Sequence, residues 1–106
     1  MLRRYQVTLH GTGFLVPVED AKPIRGFFTI RRVLADSPEE AERSAIVTLQ
    51  QEERYRYLVK TTERELGRRD SCRVRMDEIG YLSWWRWHFT KWSPSFIFYE
   101  DNENDR

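Results

Sequence analysis

Residues 26–51 constrain the fold more than any other stretch of this 106-residue chain, because a strand, a helix cap and an amphipathic helix follow one another with almost no residues between them. Residues 27–35 are rich in aromatic and β-branched side chains, which is typical of a strand. Ser37, Pro38 and Glu40 then form the pattern of a capping box with proline at the first helical position. Apolar residues recur at helical spacing afterwards: Ala41, Ala45, Ile46 and Leu49. The stretch therefore predicts a strand that leads directly into a helix beginning after Ser37.

The same stretch, with its Ser-Pro-Glu-Glu-Ala sequence at residues 37–41, is similar to the strand–helix unit of many small ferredoxin-like domains. It also resembles the core of HicB-type antitoxins. The resemblance covers residues 26–51 alone and implies an α+β fold. HicB-type proteins usually add a Gly-Cys turn before the helix and a DNA-binding tail, and this sequence has neither, so the resemblance concerns fold class and not function.

Two further stretches, residues 4–10 and 72–79, alternate apolar and polar side chains as half-buried strands do. The inward-facing residues are Tyr5, Val7 and Leu9 in the first stretch, and Cys72, Val74 and Met76 in the second. This alternation predicts a buried, unreactive thiol at Cys72, because a reactive cysteine needs to be accessible.

Turn and strand signals assign the rest of the N-terminal half. We interpret residues 11–13 as a turn and residues 14–18 as a short strand, which Pro17 restricts to a sheet edge or an irregular segment. Residues 19–25 are predicted to be a loop before the central strand.

The apolar stripe of the helix breaks after Leu49, and a second stripe starts in another phase at Tyr55. This break predicts either a bend or a second short helix, closed by Gly67 as a C-cap. Residues 93–95 are predicted to be a turn, and residues 96–99 the last strand.

Together these elements predict an α+β protein: an antiparallel sheet of four or five strands with one long helix, or that helix and a second short one, on one face in a ferredoxin-like layout. We expect one domain over residues 1–100 and a disordered acidic tail over residues 101–106. A single helical layer leaves the other sheet face open, and dimerisation often closes such a face. The expected core is Tyr5, Val7, Leu9, Phe28, Ile30, Ala45, Leu49, Val74, Phe96 and Phe98.

The composition argues against several classes of protein. Cys72 is the only cysteine, which excludes an internal disulfide and favours a reducing compartment. No apolar run approaches the roughly 20 residues of a membrane helix, and residues 1–10 lack the apolar core of a secretion signal. We therefore predict a cytoplasmic protein without a membrane segment. His10, His88 and Cys72 lie on three different predicted strands, so we expect neither a metal site nor a cofactor, and no set of acid, base and nucleophile points to an enzyme.

The most unusual segment is residues 84–92, which contain all four tryptophans. We interpret it as an extended chain with Trp85, Trp87 and Phe89 on one face. These rings exceed what one small core can bury, and exposed aromatic residues beside arginine mark binding surfaces. The candidate partner-binding residues are Trp84, Trp85, Arg86, Trp87, His88 and Trp92.

Charge is distributed unevenly, although the net charge is only +1. Residues 1–35 contain six basic and two acidic side chains, and residues 67–99 contain six and three. Candidate anion-binding residues are Arg68, Arg69, Arg73 and Arg75, and the alternative is an ordinary solvated surface. The sequence thus predicts a non-catalytic binding or assembly module that forms a homodimer or binds a protein partner through its tryptophans. The alternative is a nucleic-acid-binding protein that uses basic strands and exposed aromatic residues.

Overall fold

The protein has an α+β architecture in which a five-stranded antiparallel sheet carries helices, as shown by a computed structural model that describes residues 1–68, 70–89 and 92–100. The strands are β1 (Arg3–Thr12), β2 (Val16–Val18), β3 (Ala21–Ala35), β4 (Arg73–Tyr81) and β5 (Phe96–Glu100). The helices in these ranges are α1 (Pro38–Gln50), α2 (Glu53–Leu66) and α3 (Trp84–Phe89).

β3 is the central strand, because other strands pair with both of its edges. Phe27 lies opposite Gly11 of β1 and also opposite Phe98 of β5, so β1 and β5 occupy different edges. Ile24 lies opposite both Val16 of β2 and Glu100 of β5, so β2 continues along the edge that β1 uses. β4 pairs with the far side of β1. The spatial order is therefore β5–β3–β1–β4, with β2 extending β1.

The hairpin of β1, β2 and β3 is longer than the sequence predicts. The turn predicted at residues 11–13 is wrong for its first two residues, because Thr12 still pairs with Arg73. The loop predicted at residues 19–25 is also wrong: β3 begins at Ala21, and the chain reverses at Asp20, which has a positive φ of 61°. Pairing along the hairpin outweighs the local turn residues here. The short strand containing Pro17 lies at the end of the sheet, as predicted.

α1 begins where the sequence predicts. The Glu40 amide donates to the Ser37 hydroxyl at 3.2 Å, and Pro38 occupies the first turn. The Glu40 carboxylate pairs with Arg43 one turn further on. The apolar stripe of Ala41, Ala45 and Leu49 is fully buried against the sheet.

The break after Leu49 separates two helices and is not a bend. α2 has 14 residues and α1 has 13, so the expectation of one long helix with a short second one is not confirmed. Gly67 ends α2 in the left-handed conformation, and its amide donates to the Glu63 carbonyl at 2.8 Å. The ferredoxin-like layout is not confirmed either, because that layout follows the order β-α-β-β-α-β, whereas here three strands precede the first helix.

The core lies between the sheet and the helices α1 and α2, and it contains Tyr5, Val7, Leu9, Ala45 and Leu49 as predicted. Val74 and Phe96 pack against it while partly exposed. The expectation is wrong for Phe28, Ile30 and Phe98, since Phe28 is only half-buried and the other two are 37% and 39% exposed. Both alternating sets of β3 side chains are largely apolar, so periodicity does not decide which set faces inward. Pairing with Tyr5, Val7 and Leu9 decides it, and turns Phe27, Thr29 and Arg31 towards the core.

The buried position of Arg31 requires compensation, because an unpaired charge in a core is costly. Arg31 is 4% exposed, and its guanidinium pairs in a two-pronged contact with the Glu52 carboxylate. Its Nε donates to the Thr29 hydroxyl at 3.1 Å, and that hydroxyl donates to the Ser95 carbonyl at 2.6 Å. The pair therefore ties β3 to the start of α2 and to the segment before β5.

Candidate functional site

One face of the sheet points away from α1 and α2, and we call it the open face. It consists of the side chains that alternate with the core residues on each strand. Its members on β1 and β3 are Gln6, Thr8, His10, Phe28, Ile30, Arg32 and Leu34, and those on the outer strands include Arg73, Arg75, Glu78, Ile97 and Tyr99.

The open face has an apolar half and a polar half. Ile30, Leu34 and Ile97, on β3 and β5, are 37%, 51% and 61% exposed. The β1 and β4 side of the face carries Gln6, Thr8 and the charged residues of β4. Large exposed apolar side chains on adjacent strands are unusual for a surface that only meets water.

Residues 84–89 of the segment predicted as an extended chain form the helix α3, so the predicted shared face of Trp85 and Trp87 is wrong, because residues two apart on a helix do not face the same way. Ser83 caps α3: its hydroxyl accepts from the Arg86 amide at 3.2 Å, and its carbonyl accepts from the Trp87 amide at 2.9 Å. Leu82, 6% exposed, anchors the helix start, and its amide donates to the Arg4 carbonyl at 2.9 Å. In the sequence, Ser83 as a cap residue directly before this run of aromatic residues is the signal that indicates the helix.

We call Trp84, Trp85 and Trp92 the tryptophan surface, because these rings are 49%, 67% and 37% exposed. The rings of Trp84 and Trp85 meet edge to face at 5.7 Å, and the Trp84 ring lies 4.6 Å from that of His88. Of the other predicted residues, Arg86 and His88 are exposed and Trp87 is half-buried. Five of the six predicted partner-binding residues are thus in α3, and Trp92 follows it.

Arg32 links α3 to the open face. One guanidinium nitrogen donates to the Arg86 carbonyl at 3.2 Å, and the guanidinium carbon lies 5.8 Å from the centre of the Trp92 ring. A small cavity of about 190 Å³ remains between Arg86 and the sheet residues Gln6, Thr8 and Glu78. These contacts place the tryptophan surface beside the open face.

At the other end of the open face, His10, Phe28 and Tyr99 form an aromatic cluster that the sequence analysis missed. The His10 and Phe28 rings stack at 4.3 Å, and His10 Nε2 is 2.8 Å from the Tyr99 hydroxyl. Gly26 permits the close approach of Tyr99, because a Cβ at Gly26 would overlap the tyrosine ring. Only the strand register, which places His10 opposite Phe28, reveals this cluster.

The candidate anion-binding arginines occupy different settings. Arg68 forms an ion pair with Asp70 at 2.6 Å in the loop after α2. Arg73 and Arg75 are exposed on β4 opposite Thr12 and His10. The prediction for Arg69 falls on a residue outside the described ranges.

Cys72 is half-buried and not fully buried as predicted, and it borders a cavity of about 380 Å³ with Gln50, Tyr55 and Arg56. In the described ranges no group of three His, Cys, Asp or Glu side chains is placed to hold a metal ion. Burial, with a smaller contribution from the Tyr81 hydroxyl contact, raises the pKa of Tyr5.

Comparisons with known proteins give no match to this chain, whether with family models, curated proteins or solved structures. Among the described residues, none of the helices has the length and apolar character needed to span a membrane.

Proposed function

We propose that this protein is a non-catalytic binding or assembly module whose tryptophan surface and open face bind a protein surface, in the first place that of a second copy. The observation that carries the proposal is the exposure of Trp84 and Trp85, 49% and 67%, beside a core that is already filled by other residues. Exposed tryptophans next to arginine are the side chains that most often dominate protein interfaces.

The free energy available from covering these rings is substantial. A tryptophan buries about 150–250 Å², so the exposed parts of Trp84 and Trp85 together amount to roughly 200 Å². At about 25 cal/mol for each Å², covering them contributes on the order of 5 kcal/mol before the entropic costs of association are subtracted. Ile30, Leu34 and Ile97 extend the apolar area across the open face.

The shape of the site favours a macromolecule over a small ligand. The cavity beside Arg86 has about 190 Å³, whereas small-molecule pockets usually have about 300–1,000 Å³. The tryptophan rings project from a short helix beside a sheet face and do not line an enclosed space. A complementary protein surface covers such a shape better than a small molecule does.

Sedimentation of the wild type beside a Trp84→Ala/Trp85→Ala variant tests the proposal. If a second copy occupies the tryptophan surface, the wild type is a dimer at micromolar concentration and the double variant is a folded monomer, because the variant removes the largest exposed rings. Tyr57→Ala is the matched control: Tyr57 is 60% exposed on α2, away from the open face, so its loss leaves the dimer intact.

A second candidate function is nucleic-acid binding, which the exposed Arg73 and Arg75 beside the His10–Phe28 stack favour. Arginine and aromatic rings together bind the backbone and bases of single strands. Titration with a mixed-sequence single-stranded oligonucleotide at two salt concentrations separates the candidates, since phosphate contacts weaken steeply with salt and apolar protein contacts do not.

A further inference from the structure

The two outer strands of the sheet differ in how their free edges are protected. Folded proteins usually protect an edge strand with charges or bulges, because unpaired backbone groups attract other strands. β4 follows this rule: Arg73, Arg75, Asp77 and Glu78 are exposed, and its register shifts beside Asp77. β5 carries no charge over its Phe-Ile-Phe-Tyr run, its register shift falls at the end of the strand between Tyr99 and Glu100, and in the described part of the chain it pairs with β3 alone.

We propose that two copies of this chain join through β5, which pairs antiparallel with β5 of the second copy about a two-fold axis at Phe98. The two five-stranded sheets then form one continuous sheet. This inference rests on the assembly function proposed above and assigns the contact between copies to β5 in place of the tryptophan surface, which then stays available to a different protein. It uses an edge that is distinct from the tryptophan surface, so the two interfaces are separable by experiment.

The register follows from the geometry of a two-fold axis perpendicular to the sheet. Such an axis leaves the helices of both copies on the same side of the joined sheet. Two residues that lie opposite each other must therefore face the same side of that sheet. Because side chains alternate along a strand, this is so only when the axis passes through a residue position, where a residue lies opposite its own counterpart. Only an axis at Phe98 pairs all five residues of Phe96–Glu100. Ile97 then lies opposite Tyr99 of the second copy on the open face, and Phe96 lies opposite Glu100 of the second copy on the helical side.

This register brings opposite charges together. Arg54 of α2 is exposed, and its guanidinium carbon lies 5.2 Å from the centre of the Phe96 ring. Since Phe96 faces Glu100 of the second copy, Arg54 meets that carboxylate, and the symmetry forms the pair twice. Ile97 and Phe98, 61% and 39% exposed, become covered at the same time. The covering of Ile97 and Phe98 and the pairing of Arg54 with Glu100 therefore favour the same strand register.

The protection of β4 explains why the assembly stops at two copies. An isologous contact uses the same patch on both subunits and closes on itself. After β5 is paired, the strand edges left at the ends of the joined sheet in the described ranges belong to β4, with its charges and register shift, and to the three-residue β2, which contains Pro17. The geometry therefore predicts a closed dimer and no fibre.

Disulfide trapping tests the register. The wild-type chain has Cys72 as its only cysteine, so Phe98→Cys is placed in a Cys72→Ser background and oxidised under mild conditions. Residues on a two-fold axis of an antiparallel pair lie within reach of a disulfide, so we expect a covalent dimer in high yield. Asp77→Cys in the same background is the control for random collision, because Asp77 lies on the protected edge.

A charge exchange in the native-cysteine background tests the same register without relying on folding of the cysteine variants. Arg54→Glu alone and Glu100→Arg alone each place like charges together twice, and we expect each to raise the dimer Kd about tenfold. The double variant restores opposite charges and is expected to return to within about threefold of the wild-type Kd.

The outcomes separate this inference from the proposed function. A dimer that survives both single charge variants, with Phe98→Cys trapped no better than Asp77→Cys, overturns the β5 inference. If that dimer is still lost in Trp84→Ala/Trp85→Ala, the proposed function stands. A dimer lost on changes at β5 but kept in the tryptophan variant supports β5 and assigns self-association away from the tryptophan surface. A wild-type monomer at high micromolar concentration overturns self-association by either route.

Discussion

Arg31 shows how one residue can determine the packing of three elements. Its guanidinium is buried between β3 and the start of α2, where Glu52 pairs with it and the Phe96 ring lies 5.6 Å away. A buried ion pair contributes little net stability when it is intact, but the loss of one partner leaves an uncompensated charge. Arg31 therefore makes the core depend on Glu52.

This dependence predicts an unequal effect of two substitutions. Glu52→Ala leaves the buried guanidinium without its carboxylate and is expected to cost about 3 kcal/mol, the lower end of the range for broken buried pairs, because Glu52 itself is 30% exposed. Arg31→Met removes the charge and keeps an apolar stem, so it is expected to cost less. Urea unfolding of both variants measures the difference, and an equal or larger loss for Arg31→Met would refute this explanation.

At the scale of single elements, α1 is the helix whose start the sequence predicts most directly. Ser37 accepts a hydrogen bond from the Glu40 amide, and Pro38 has no amide hydrogen to leave unpaired. The residues that start the helix are adjacent in sequence, so no tertiary information is needed to find them.

Ser37→Ala is expected to lower the free energy of unfolding by about 1 kcal/mol, since it removes the acceptor for a free helical amide. Ser44→Ala is the matched control, because Ser44 is exposed in the middle of the same helix and alanine has the higher helix propensity. The change in the free energy of unfolding, measured by urea melts, should therefore differ in sign between the two variants or be clearly larger for Ser37→Ala. No measurable loss for Ser37→Ala would contradict the assigned cap.

The elements that the sequence does not predict correctly are those fixed by distant partners. α3 is short, and its aromatic residues are compatible with a strand as well as a helix, so only the Ser83 cap distinguishes them. The inward face of β3 depends on pairing with β1, which turns Phe27 inward and Phe28 outward. The start of β3 at Ala21 likewise depends on β2, whose pairing overrides the turn residues nearby.

At the scale of the whole molecule, the sequence predicts that one sheet face stays open and that the tryptophans are too many for the core. The first expectation follows from a single helical layer and the second from the apolar area of the rings, and neither needs the strand register. The placement of α3 on that face needs Arg32, whose contacts with Arg86 and Trp92 join residues far apart in the chain. The aromatic cluster of His10, Phe28 and Tyr99 also joins three strands, and no local pattern predicts it.

The most direct test of the tryptophan surface is collisional quenching of tryptophan fluorescence by acrylamide at increasing protein concentration. All four tryptophans lie in residues 84–92, so the signal reports on this segment alone. If the tryptophan surface is covered by a second copy, quenching is strong in dilute solution and falls over the concentration range in which sedimentation shows a dimer. Tyr57→Ala should follow the wild-type curve. Strong quenching that stays constant while the protein dimerises would contradict the central claim, because the rings would remain in water within the assembly.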